Sequence, residues 1–235
     1  MEINYDTIKV IGFDADDTLW VNETYFRDAE EEFAKLLSQF ETPNKIDQEL
    51  FKMEMKNLPT YGYGVKGFVL SMVEMAIELS NGTVSNSVIT KILNIGKGMI
   101  NKDVALLDGV EDVLQKLSNK YRLIVATKGD LLDQERKLEK SGLLDYFHHI
   151  EVLSDKKEAN YSKLLNHLDI KPTEFLMIGN SLKSDILPLL NIKSKAIHVP
   201  FHTTWAHEEV TLEESKNKQF HTLKTLKQLP ELLQC

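Results

Sequence analysis

The chain has 235 residues, of which 42% are apolar and 27% charged, so it can bury a substantial core and is ordinary for a globular protein. A formal net charge of −8 argues against nucleic acid or an anionic membrane as partner, since both reward basic surface. No apolar run approaches the roughly 20 residues that span a bilayer, no basic start with an apolar run opens the chain, and the single Cys235 permits no internal disulfide; a cytoplasmic location is expected.

The first element, Ile8 to Phe13, is short, apolar and rich in β-branched residues, which reads as a strand buried on both faces in a parallel sheet. It leads into Asp14, Asp16 and Asp17, with Thr18 behind them. Like charges a few ångströms apart raise one another's pKa and cost stability, so a compensating cation is expected there, a divalent metal first.

The next block changes character. Residues 24–40 place Phe26, Phe33, Leu36, Leu37 and Phe40 at helical spacing, and Thr42-Pro43-Asn44 breaks the pattern. A second helix is predicted over 46–57, ended by Leu58-Pro59-Thr60, and Tyr61-Gly62-Tyr63-Gly64 reads as a turn. Helices over 68–79 and 85–100 follow, separated by Asn81-Gly82-Thr83. With no strand pattern in it, this stretch reads as a helical insertion.

From Leu107 strands and helices alternate. Helices are expected over 109–118, over 131–140, from about 158 to His167, and briefly after Asp185; strands are expected over 121–127, 149–153, 174–180 and 195–200. That order implies a parallel sheet with right-handed crossovers and helices on both faces. The tail 211–235, with Leu223, Leu226, Leu229, Leu232 and Leu233, is expected to form a terminal helix on the core.

Ligands of such sheets bind beyond the carboxyl ends of the strands. Those ends carry Asp14, Asp16 and Asp17, then Thr127 and Lys128, then Lys156 or Lys157, then Asn180, Ser181 and Asp185. The set suits phosphoryl transfer, which needs a nucleophile, a proton donor for the leaving group and neutralisation of the phosphate oxygens. Asp14, directly at its strand end, is the candidate nucleophile, forming an aspartyl-phosphate, and Asp16 the candidate general acid/base. Thr127 is placed to donate to the phosphate and Lys156 to neutralise it, while Asp14, the Asp16 carbonyl and Asp185 offer oxygen ligands to Mg²⁺. Taken singly, each residue has a plainer use: turn acids, a strand-end hydroxyl bonded to backbone, helix caps.

Taken together, Asp14-Ala15-Asp16-Asp17-Thr18, Thr127, Lys156 and Gly179-Asn180-Ser181-Leu182-Lys183-Ser184-Asp185 resemble, in order, the four motifs of the haloacid dehalogenase (HAD) superfamily. The resemblance implies an α/β, Rossmann-like three-layer core (1–20 and 102–235) with a helical cap domain inserted after the first strand (21–101). It also implies a Mg²⁺-dependent phosphatase, here expected to act on a small phosphorylated metabolite; a monomer or a homodimer is expected. Dehalogenases of the superfamily lack the second aspartate of the first motif; Asp16 therefore favours a phosphatase. A phosphomutase, a dehalogenase and a non-catalytic phosphate-binding protein are the competing readings. Two departures stand out. Asn180 occupies a position where many members carry a carboxylate, leaving it to bind metal through its carbonyl or a metal-bound water. Lys128 replaces the usual Asn and either adds charge near the phosphate or faces solvent. The histidines, including His148-His149, His198, His202 and His207, lack metal-ligand spacing and are expected at the surface or in the core.

Overall fold

The structure, a computed structural model, describes residues 4–210 and 219–235. It divides into two compact units, one comprising residues up to Glu23 with Val104–Lys128 and Gln134–Cys235, the other Thr24–Asp103 with Gly129–Asp133.

The first unit is built on a parallel sheet of six strands: β1 (Val10–Phe13), β2 (Arg122–Lys128), β3 (His149–Leu153), β4 (Phe175–Gly179), β5 (Lys195–His198) and β6 (His221–Thr222), in the spatial order β3-β2-β1-β4-β5-β6. β1 is central, with Phe13 in register with Val125 on one side and Ile178 on the other. Side chains alternate across the sheet, which is what makes three layers. Ile11, Phe13, Val125, Ile178 and Ile197 join Val113, Leu114 and Leu117 of α5 (Val110–Ser118) in one core. Val10, Ile124, Phe175 and Met177 join Tyr161, Leu164 and Leu165 of α7 (Glu158–His167) in the other. Gly12 faces the second core by alternation, and it is a glycine because the Phe175 ring occupies its side-chain space: a Cβ there would stand 2.6 Å from Phe175 Cζ. The chain runs outward from β1 through β2 to β3, then returns to the other side of β1 as β4. The switch point therefore lies between β1 and β4, at their carboxyl ends.

The second unit packs α1 (Glu23–Leu37), α2 (Pro43–Tyr61), α3 (Val65–Leu79) and α4 (Asn86–Asn101) around Phe33, Leu37, Ile46, Leu50, Met72, Ala76 and Ile92. Gly96 of α4 lies against Val69 of α3, where a Cβ would come within 2.2 Å of a valine methyl.

Three sequence expectations are corrected. The second helix begins earlier, because Pro43 occupies its first turn, where a missing N–H costs nothing, and it runs through Pro59 to Tyr61. The sixth strand was not anticipated: two residues are too short to show alternation. The tail is not one helix. Beyond 211–218, which lie outside the described residues, it forms β6, a turn at Leu226–Gln228 and a short helix at Leu229–Leu232, with Leu226, Leu229 and Leu233 buried against α5. Among the described residues no helix is long and apolar enough to cross a membrane.

Candidate active site

Asp14 is the first residue past β1, and its N–H still donates to the Ile178 carbonyl of β4 at 2.9 Å, so the strand pair fixes where its carboxylate starts. Lys156 enters from the loop after β3, its own N–H held by Asp155 Oδ1 at 2.8 Å. Its ammonium lies 2.5 Å from Asp14 Oδ1 and 2.6 Å from Asp185 Oδ1, and all three side chains are buried. Lys157 is 73% exposed and pairs with Asp155, so of the two adjacent lysines it is Lys156 that faces the acids. Asp185 is carried by a π-helical turn over Leu182–Ile186 after β4. Its Oδ2 accepts from the Ser181 N–H at 3.0 Å, and its carboxylate fills the side-chain space of Gly179, where a Cβ would meet its Cγ at 2.3 Å. Thr18 donates to Asp14 Oδ2 at 3.2 Å and lies 3.4 Å from Asn180 Oδ1, while the Asn180 carbonyl accepts from His198 Nε2, which must therefore carry the proton.

Two carboxylates facing one ammonium leave this buried trio short of positive charge. Burial pushes the Asp14 carboxyl up, to about 7, against the pull of Lys156, and Asp185 adds to the upward push. Burial alone would push the Lys156 ammonium down; the two carboxylates hold it above its ordinary value instead.

The acids of the first motif divide. Asp17 has a left-handed backbone (φ 61°), and its carboxylate accepts from the N–H groups of Asn22 and Glu23 at 2.8–3.1 Å, tying down the start of α1. Asp16 is bonded elsewhere. Its Oδ1 accepts from Trp20 Nε1 at 2.8 Å and Lys137 Nζ at 3.0 Å, and its Oδ2 from Gln134 Nε2 at 2.8 Å. Thr127 is buried at the end of β2, next to β1, with its hydroxyl on the Lys128 carbonyl at 3.2 Å. Among the described residues no three His, Cys, Asp or Glu side chains are grouped to hold a metal ion.

The haloacid dehalogenase-like hydrolase model matches residues 8–192. The chain belongs to the haloacid dehalogenase-like hydrolases. A HAD-like family hydrolase from Xanthomonas campestris shares 35% identity and superposes with a TM-score of 0.86, covering 97% of this chain and 91% of that one. By sequence the chain is 25% identical to the N-acylneuraminate-9-phosphatase of Homo sapiens, over 97% of its own length and 94% of the relative's. A HAD phosphatase from Thermococcus onnurineus, 17% identical with a TM-score of 0.64 and covering 96% of this chain and 98% of that one, shares the fold. The chain is thus a hydrolase, and the sequence relatives named here are phosphatases of this family.

One member of this cluster escaped the sequence. Glu208, in the loop after β5, accepts from Lys128 Nζ and from the hydroxyls of Ser181 and Ser184 at 2.5–2.6 Å. Lys128 also donates to Ser184 Oγ at 2.9 Å. Lys128 is therefore engaged with a carboxylate of the protein itself, and Glu208 braces the turn that carries Asp185. Nothing in the periodicity marks a lone glutamate in a loop. Burial alone would raise the Glu208 carboxyl, but Lys128 and the two serine hydroxyls bring it down to about 2. A depressed carboxylate pKa stabilises the fold above the ordinary value of 4.5, by about 3 kcal/mol, and that contribution is lost as pH falls towards 2. Glu208→Gln should lower the urea midpoint at pH 6, and the gap to wild type should shrink as pH falls from 5 to 3.5. A gap independent of pH would contradict the assignment.

Proposed function

We propose that this protein is a Mg²⁺-dependent phosphomonoesterase that works through an aspartyl-phosphate on Asp14. The observation that carries the reading is the buried Asp14 carboxylate at the mouth of the central strand, paired with Lys156 and Asp185. In the first half-reaction an Asp14 oxygen bonds to phosphorus, the ester P–O bond breaks, and Asp16 gives its proton to the departing oxygen. In the second, water attacks the phosphorus, Asp16 takes its proton, and Asp14 and free phosphate are released. Thr127 and Lys156 hold the phosphate oxygens, Thr127 by its hydroxyl and Lys156 by its charge.

The residues fit a hard divalent cation. The buried carboxylates lack positive charge, the donors on hand are oxygens, and Mg²⁺ ordinarily takes only one or two carboxylates while keeping water and phosphate oxygens. Asp14 and Asp185 would hold it with the Asn180 side chain and the Asp16 carbonyl, and it would supply charge neutralisation to the phosphate. Lys128 belongs to the phosphate site only if Glu208 gives it up. The helical unit is assigned the selection of substrate, a small phosphorylated metabolite. The named relatives make N-acylneuraminate 9-phosphate the first compound to try.

A screen of phosphorylated sugars, sugar acids and nucleotides with Mg²⁺ tests this. Free phosphate should appear with at least one of them and vanish with chelator. Halide release from a 2-haloacid without phosphate release from any ester would contradict it.

A further inference from the structure

The Asp16 carboxylate accepts from three side-chain donors, and each is anchored. Trp20 is buried and comes from the same loop. Gln134 and Lys137 lie three residues apart on α6 (Leu131–Lys140), hence on one face of that helix. The Gln134 side-chain nitrogen forks between Asp16 Oδ2 at 2.8 Å and the Lys128 carbonyl at 3.0 Å. Its Oε1 is buried and, among the described residues, accepts no hydrogen bond. Turning the amide over would set an oxygen against two acceptors, so the orientation is dictated by what it holds. A buried carbonyl without a donor ordinarily destabilises a fold. That is a poor arrangement for stability and a good one for aiming a nitrogen at Asp16. Lys137 adds a full charge, and its Nζ is itself steadied by Asn22 Oδ1 at 2.8 Å.

We propose that Gln134 and Lys137, with Trp20, are positioning residues for the general acid: they fix the Asp16 carboxyl and stabilise the negative charge that grows on it as its proton passes to the leaving oxygen. The inference rests on the reading of Asp16 as proton donor. In the step concerned, the Asp16 O–H bond breaks as the leaving-group O–H bond forms, and the electron pair of the ester P–O bond goes to the leaving oxygen. The donors matter in proportion to how far that proton must be transferred in the transition state. A 4-nitrophenolate needs almost no proton to depart; a primary alkoxide needs it fully.

The test uses the full chain with Mg²⁺ and three probes: 4-nitrophenyl phosphate, phenyl phosphate and a primary-alkyl phosphate. Lys137→Met and Gln134→Met should lose on the order of 10–100-fold in kcat/KM on the alkyl ester, within the range of general-acid catalysis, and only a few-fold on 4-nitrophenyl phosphate. Lys137→Arg should recover most of the alkyl activity. Asp16→Asn serves as the reference, with a steeper dependence on leaving group. If Asp16→Asn is steep but the Lys137 and Gln134 variants, still folded by circular dichroism, lose equally on all three probes or lose nothing, the positioning role is overturned and Asp16 stands. If Asp16→Asn is itself flat across the probes, the proton-donor reading falls and the inference with it.

Discussion

Asp14→Asn is expected to lower Mg²⁺-dependent phosphate release by at least about 10⁴-fold, the scale on which removing a covalent nucleophile acts. The protein should nevertheless melt as high as wild type or higher. Burial raises the Asp14 carboxyl to about 7, so in the native state its ionised form is costly above that pH. A neutral amide removes the cost and leaves Lys156 paired with Asp185 alone, a balanced pair. The stabilisation should grow as pH rises from 3.8 through 7, because over that window the native wild type binds more protons than the unfolded chain and loses stability with pH. Thermal melts at pH 5 and 8, run with chelator, read this directly. A folded variant that keeps more than a hundredth of wild-type turnover would place the nucleophile elsewhere.

The second large effect is Lys156→Met. It leaves the Asp14 and Asp185 carboxylates buried with no ammonium between them. Breaking a buried pair by removing one partner costs about 3–5 kcal/mol, so unfolding at pH 7 should move to markedly lower urea. Protonating one carboxyl relieves the repulsion. In the variant the native state takes up a proton that the unfolded chain does not, so the deficit should shrink as pH falls towards 4. Millimolar Mg²⁺ should also narrow it, by binding the native acids. Turnover should fall on the order of 10²–10³-fold with the loss of a charge on the phosphate. Lys157→Met, at an exposed side chain paired with Asp155, should change neither stability nor rate by more than a few-fold. A deficit indifferent to both pH and Mg²⁺ would mean that the two acids do not face each other as described.

The α/β fold was legible because parallel strands buried on both faces write continuous apolar runs, as in Phe175–Gly179, and because such a sheet collects its loops at one edge. That geometry alone pointed to the residues after β1, β2, β3 and β4 as neighbours. It could not choose between Lys156 and Lys157, since adjacent lysines in a loop differ only in the direction they leave the backbone. It could not see that Asp16 is bonded away from Asp14, because Gln134 and Lys137 look like any solvated helix face. It also passed over Glu208, whose loop carries no periodicity, and read Pro59 as a helix end when the last turn of α2 tolerates it.

The proposed mechanism passes through a covalent phosphate on Asp14. Wild-type protein mixed with 4-nitrophenyl phosphate and Mg²⁺, quenched in acid within milliseconds and digested, should yield a peptide containing Asp14 that is heavier by one phosphoryl group. The same peptide from Asp14→Asn should be unmodified. Steady release of phosphate by the wild type, with no phosphorylated peptide at any quench time and no burst of 4-nitrophenol, would contradict the account.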